Sequence, residues 1–132
     1  MLLAMSVPAL AGNPHFVGQP QVDNVDGVLT VSGKVAGLGN EEQIFVEVTA
    51  LAECVNPGGK KPSAENKDEV SISGTFPVQN GKADFLLELD GAAQITPSCE
   101  PPMTIEYSDV FIGVDTNGDG IADLTRFFAG PF

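Results

Sequence analysis

The chain is 132 residues long, with 18 acidic side chains against 6 basic ones and a formal charge of −12 at pH 7. That balance argues against nucleic acid and anionic membrane surfaces as partners, because both are held by Lys and Arg. The length suits one domain, and a 42% hydrophobic fraction is too high for a disordered chain.

The chain opens on Met1 to Ala11, MLLAMSVPALA. An apolar run that ends in Ala9-Leu10-Ala11 has the form of the h-region and cleavage site of a secretory signal, and Pro8 suits a leader better than a strand. The basic residues that usually precede an h-region are missing, so Met1 reads as an internal start of a longer leader. Residues 1–11 are therefore expected to be a secretory signal remnant, and residues 12–132 one secreted domain. The leader is too short to span a bilayer, and no later segment is long and apolar enough to do so.

From there on, period-two alternation replaces any helical period. Leu29, Val31 and Val35 alternate with Thr30, Ser32 and Lys34, and Ile44, Val46 and Val48 with Phe45, Glu47 and Thr49. Val70, Ile72, Phe76 and Val78 form a third such row, and Ala83, Phe85, Leu87 and Leu89 a fourth. Each row predicts a strand with one buried and one wet face. Asp26-Gly27, Gly37-Leu38-Gly39-Asn40, Asn80-Gly81 and Asp90-Gly91 mark the turns, Asn80-Gly81 being the strongest hairpin signal. Between Met103 and Val114 the phase slips: Ile105 and Tyr107 are odd, Val110, Ile112 and Val114 even. One strand keeps both sets inward only with a β-bulge near Ser108-Asp109; the alternative is two shorter strands. The eight phenylalanines read mostly as core. Seven or eight short strands predict an all-β, two-layer antiparallel β-sandwich with Greek-key connections, against a closed barrel as competitor.

The only cysteines are Cys54 and Cys99. In an exported chain a single pair beside Pro-rich turn sequence reads as a disulfide. There are too few Cys and His for a zinc site. Cys54 to Glu69 is the longest stretch without a strand pattern and carries Lys60, Lys61 and Lys67, half of the chain's bases. Asn56, Lys60, Lys61, Asn66 and Lys67 make it a candidate binding loop, weighed against a merely solvated one.

The sharpest motif is Asp115-Thr116-Asn117-Gly118-Asp119-Gly120-Ile121-Ala122-Asp123, a D-x-N-x-D-G-x-x-D loop. Calcium prefers hard oxygens, and such a loop offers them from Asp115, Asn117, Asp119, the Ile121 carbonyl and Asp123, with Gly120 at the sharp turn. The twelfth position, an acid in a full EF-hand, is Arg126. The site is therefore expected to bind Ca²⁺ with modest affinity, Kd about 10⁻⁴ to 10⁻³ M. The bland reading is a polar hairpin turn. These residues resemble the calcium loops of dockerins, thrombospondin-type repeats and integrin-type propeller blades.

Asn13-Pro14-His15-Phe16-Val17, the run Glu53 to Gly59 (ECVNPGG), Asn66-Lys67 and Pro97-Ser98-Cys99 together resemble a group of small secreted microbial proteins with two cysteines and an N-P-G-G or N-G-G loop. The resemblance implies export, a disulfide and a β fold, and it implies no activity. His15 is the only histidine and there is no G-x-S-x-G element, so catalysis has little to stand on. The absence of Trp speaks against a stacking platform for sugars. The expected function is a secreted, non-catalytic, calcium-binding structural or interaction module with an extracellular partner. The alternative is a small secreted enzyme or enzyme inhibitor acting through the Cys54–Glu69 loop.

Overall fold

Period-two alternation gives every long strand one apolar face, and two sheets bury those faces against each other. The computed structural model describes residues 13–57, 67–95 and 99–132; the expected signal remnant, Lys60, Lys61 and Asn66 lie outside the described residues. Eight strands follow in chain order: β1 (His15–Phe16), β2 (Gln21–Val25), β3 (Val28–Ala36), β4 (Gln43–Val55), β5 (Lys67–Pro77), β6 (Ala83–Asp90), β7 (Thr104–Asp115) and β8 (Leu124–Phe128). In the first sheet β3 is central, with β1 and β2 along one side and β6 on the other. The second sheet runs β5-β4-β7-β8, and all pairings are antiparallel. Strand β6 returns to β3 and β7 returns to β4, each past two intervening strands, which are Greek-key crossovers. The expected two-layer sandwich is the architecture found.

The core is the two facing rows. Leu29, Val31, Val35, Phe85 and Leu89 come from the first sheet, and Ile44, Val46, Val48, Val70, Ile112 and Val114 from the second. Burial of each such side chain contributes about 1.5–3 kcal/mol. Cys54, next to last on β4, is bonded to Cys99 across 45 positions of sequence. The bulge is present. Thr49 faces Phe111 and Leu51 faces Ser108, so Asp109 and Val110 together oppose Ala50. Asp109 takes φ 50°, and the extra residue restores the phase that puts Val110 inward with Tyr107.

Two expectations need correction. The Asn80-Gly81 turn forms, both residues at positive φ, closing a bridge between Gln79 and Lys82. The strands then diverge into different sheets, because β5 and β6 present their apolar rows to the core from opposite sides. The strand-free stretch is also shorter than expected: β4 continues to Val55, and Lys67 and Glu69 belong to β5, opposite Glu53 and Leu51. The β4–β5 ladder carries on past the last apolar pair, so charge at a strand end hid it. The phenylalanines are mostly core, as expected: Phe16 and Phe85 are buried and Phe76, Phe128 and Phe132 pack against the core, while Phe45, Phe111 and Phe127 are 37%, 41% and 59% exposed.

Candidate functional site

The loop from Asp115 to Asp123 joins β7 to β8. Its stem is fixed by the sheet: Val114 pairs with Leu124, and the Asp123 N–H donates to the Val114 carbonyl at 2.7 Å. Such a turn leaves several backbone N–H groups without ladder partners, and short acidic side chains accept from them. Asp115 Oδ1 accepts from the N–H groups of Asn117 and Gly118, at 3.1 and 2.8 Å, and its Oδ2 from Gly120 at 2.8 Å. Asn117 Oδ1 accepts from Asp119 N at 3.2 Å, and Asp119 Oδ1 from Ile121 N at 2.9 Å. Asp123 Oδ2 accepts from both the N–H and the hydroxyl of Thr116, at 2.8 Å each. Gly120 sits at φ 85°, the turn for which a glycine was expected.

The same geometry brings three carboxylates together. One oxygen from each of Asp115, Asp119 and Asp123 lies within 4.8 Å of the others. At that separation each pair repels by roughly 1 kcal/mol even in bulk water. Among the described residues, no basic side chain sits beside them to offset this. Arg126 stacks on Phe16 instead, its guanidinium carbon 4.6 Å from the ring centroid, while Nη1 donates to the Thr125 carbonyl. Its position in sequence suggested a cation beside the acids; its strand direction turns it toward β1, because Arg126 shares the inward parity of its cross-strand partner Ile112. Slight desolvation opposes ionisation of Asp115, but the N–H groups of Gly120, Gly118, Asn117 and Asp119 outweigh it and hold this carboxyl below the usual carboxylate range.

The carboxylate set fits a hard divalent cation. Asp119 Oδ2 and Asp123 Oδ1 accept no hydrogen bond from the described residues, and Asp115 Oδ2 accepts only one. Of the five expected ligands the structure gathers Asp115, Asp119 and Asp123. Asn117 and Ile121 lie in the same loop, Asn117 with its side-chain oxygen on the Asp119 N–H and Ile121 with its side chain 68% exposed.

The other candidates are scattered. Of the binding loop, Asn56 lies just past the end of β4 and Lys67 opens β5, with Lys60, Lys61 and Asn66 outside the described residues. The exposed His15 ring holds its Nδ1 2.7 Å from the Asn13 carbonyl oxygen. What the sequence reading missed is a trough on the outer face of the second sheet, beside the aspartate loop and lined by Phe45 and Phe111. The signal was present, since Phe45 falls in the wet row of its strand, but its nearness to Phe111 depends on the β4–β7 register.

No protein-family model matches the chain, and no curated protein shows a significant match to it.

Proposed function

We propose that this chain is a secreted, non-catalytic β-sandwich module whose β7–β8 loop takes a calcium ion. The observation that carries the reading is the convergence of Asp115, Asp119 and Asp123 within 4.8 Å, with no base among them in the described residues. A divalent cation there would relieve the mutual repulsion and order the turn between two strands of the core sheet. Asp115, Asp119 and Asp123 would supply carboxylate oxygens, with Asn117 and the Ile121 carbonyl completing a set of hard ligands. Export is supported by the Cys54–Cys99 disulfide and by the leader-like start of the chain.

The test is a thermal melt of the full chain in millimolar calcium and in chelator. An ion that binds only the folded loop stabilises by RT ln(1 + [L]/Kd), about 1.4 kcal/mol at ten times Kd. That corresponds to a rise of roughly 5 °C for a domain of this size. Magnesium is expected to do less, because it demands octahedral geometry and gives up water reluctantly. Asp115→Ala with Asp119→Ala abolishes the calcium increment. Equal melting temperatures for the wild type in calcium and in chelator would leave the loop a hairpin turn and sink the reading.

A further inference from the structure

Cross-strand register lays out the outer face of the second sheet in rows. Phe45 stands in one row, between Thr75 and Asp115. Phe111 stands four residues along, directly opposite Phe127 on β8 and Thr49 on β4. The row between them holds Ser73, Glu47 and Gly113. Gly113 has no side chain to fill its place, and a Cβ there would lie 3.3 Å from Ala122 Cβ and 3.6 Å from the Phe111 ring. The result is a trough across the strands, between two exposed phenyl rings and floored by glycine. The aspartate loop walls one end through Gly118, Gly120 and Ala122. Its volume is about 430 Å³, within the range of sites that hold small ligands or a few residues of peptide.

Charge narrows the occupant. The strand residues on this face include Glu47, Glu69 and Asp115 against one base, Lys67. Glu47 lies in the trough itself, exposed, with no ion pair or hydrogen bond among the described residues. A second copy of the chain would bring these carboxylates against their own counterparts, on a molecule of formal charge −12. A basic partner meets the opposite situation, steered in by the same field.

We propose that the trough docks an extended, basic segment of a partner protein. One apolar side chain sits between Phe45 and Phe111, and a lysine or arginine lies on the Glu47 carboxylate. Exposed aromatic rings at the centre of a patch anchor such contacts, and the surrounding charge sets partner sign. The inference does not rest on the calcium reading, since Phe45, Glu47 and Phe111 stand on strands and the contacts need no ion.

The experiment uses the full chain in chelator, so that its outcome is separate from that of the calcium melts. Three capped pentapeptides are titrated in: alternating Lys and Leu, alternating Glu and Leu, and all Lys. Affinity is read by fluorescence anisotropy, and location by NMR shifts of backbone and phenyl signals. The Lys/Leu peptide is expected to bind and to shift Phe45, Glu47 and Phe111, with the Glu/Leu peptide not binding. Phe111→Ser should weaken it roughly tenfold and Glu47→Gln roughly threefold. Glu88→Gln, on the outer face of the other sheet, should change nothing. Both test positions are exposed, and an unchanged melting temperature confirms that each variant is folded. Equal binding by the all-Lys peptide, or indifference to Phe111→Ser and Glu47→Gln, would reduce the effect to adsorption on net charge and overturn the proposal. Shifts absent from the trough, or a dimer in sedimentation that buries Phe111, would overturn it as well.

Discussion

The two ends of β7 are held by different physics. At the Thr104 end the chain is closed covalently: Cys54, bonded to Cys99, pairs across the ladder with Ile105. Two residues further on, the fully buried Tyr107 hydroxyl donates to the Gly27 carbonyl at 2.6 Å and accepts from the Gly91 N–H at 2.8 Å. It thereby ties β7 to the β2–β3 turn and to the end of β6. At the Asp115 end there is no covalent link, and the loop is held by carboxylates that accept backbone N–H bonds near solvent. The first end depends on redox state and burial. The second depends on the ionisation of its carboxylates, because its fasteners are charges. A single strand thus runs from a fixed anchor to a responsive one.

The comparison predicts that breaking the anchored end is the larger loss. Replacing both cysteines by alanine reopens a loop of 45 positions, worth about 4 kcal/mol by the chain-entropy estimate. Denaturant unfolding of Cys54→Ala with Cys99→Ala against wild type measures it. A loss below about 1 kcal/mol would mean that the bridge only decorates an end already fixed by packing.

Next in size is Tyr107→Phe, which keeps the ring and leaves the Gly27 carbonyl and the Gly91 N–H without their partner. Unmet buried backbone groups cost about 1–3 kcal/mol. The same hydroxyl carries a pH signature. Burial, aided by the charge of Asp90 and opposed by the Gly91 N–H bond, raises the Tyr107 pKa above its ordinary value of 10.0. The unfolded chain therefore ionises first, so this tyrosine's contribution is complete below pH 10 and is lost as pH rises toward the folded value. Melts between pH 9 and 11.5 should fall for wild type and flatten for Tyr107→Phe. Parallel curves would deny the buried hydroxyl any role in alkaline unfolding.

Much of this architecture is legible in the sequence, and the reasons are particular. The rows at Leu29–Val35, Ile44–Val48 and Ala83–Leu89 gave strand faces because period two has no helical alternative there. The slip between Tyr107 and Val110 gave the bulge, since only an extra residue keeps both sets inward. The loop's acids were legible because ligand spacing is local. What escaped depended on other strands. That β5 and β6 part after the Asn80-Gly81 turn is decided by which sheet each strand's apolar row must face. That Arg126 leaves the acids for Phe16 follows from its facing Ile112 across the β7–β8 ladder. The trough needed β4, β5 and β7 in register before Phe45, Glu47, Gly113 and Phe111 became neighbours.

At the responsive end a smaller loss is expected from Thr116→Val, which preserves shape and deletes the hydroxyl bond to Asp123. The Thr116 N–H still holds the same oxygen, so the cost should be about 1 kcal/mol, near the ordinary net worth of one hydrogen bond. Guanidinium melts resolve such a difference. A loss as large as that of Tyr107→Phe would make the part-buried Thr116–Asp123 bond as strong a fastener as the tyrosine's.

The smallest effect lies in the slope of stability against pH. Four backbone N–H groups hold the Asp115 pKa below its ordinary value of 3.8, a net lowering despite some desolvation. A carboxyl depressed in the folded state contributes stability that is present above the unfolded pKa and lost as pH falls through the folded one. Below pH 4 the wild type should therefore lose melting temperature more steeply than Asp115→Asn, whose amide does not titrate. At neutral pH the variant should be the less stable of the two, since an amide offers one acceptor oxygen where the carboxylate offers two, and the Gly120 or the Gly118 N–H goes unmet. The two curves should converge as pH falls, because protonation takes from the wild type what the substitution has already removed. Melts in calcium-free buffer from pH 6 to 2.5 isolate this from any bound ion. Parallel curves over that range would show that the loop's N–H bonds do not distinguish carboxylate from amide, and the Asp115 end would then be no more responsive to protons than the end anchored by Cys54 and Cys99.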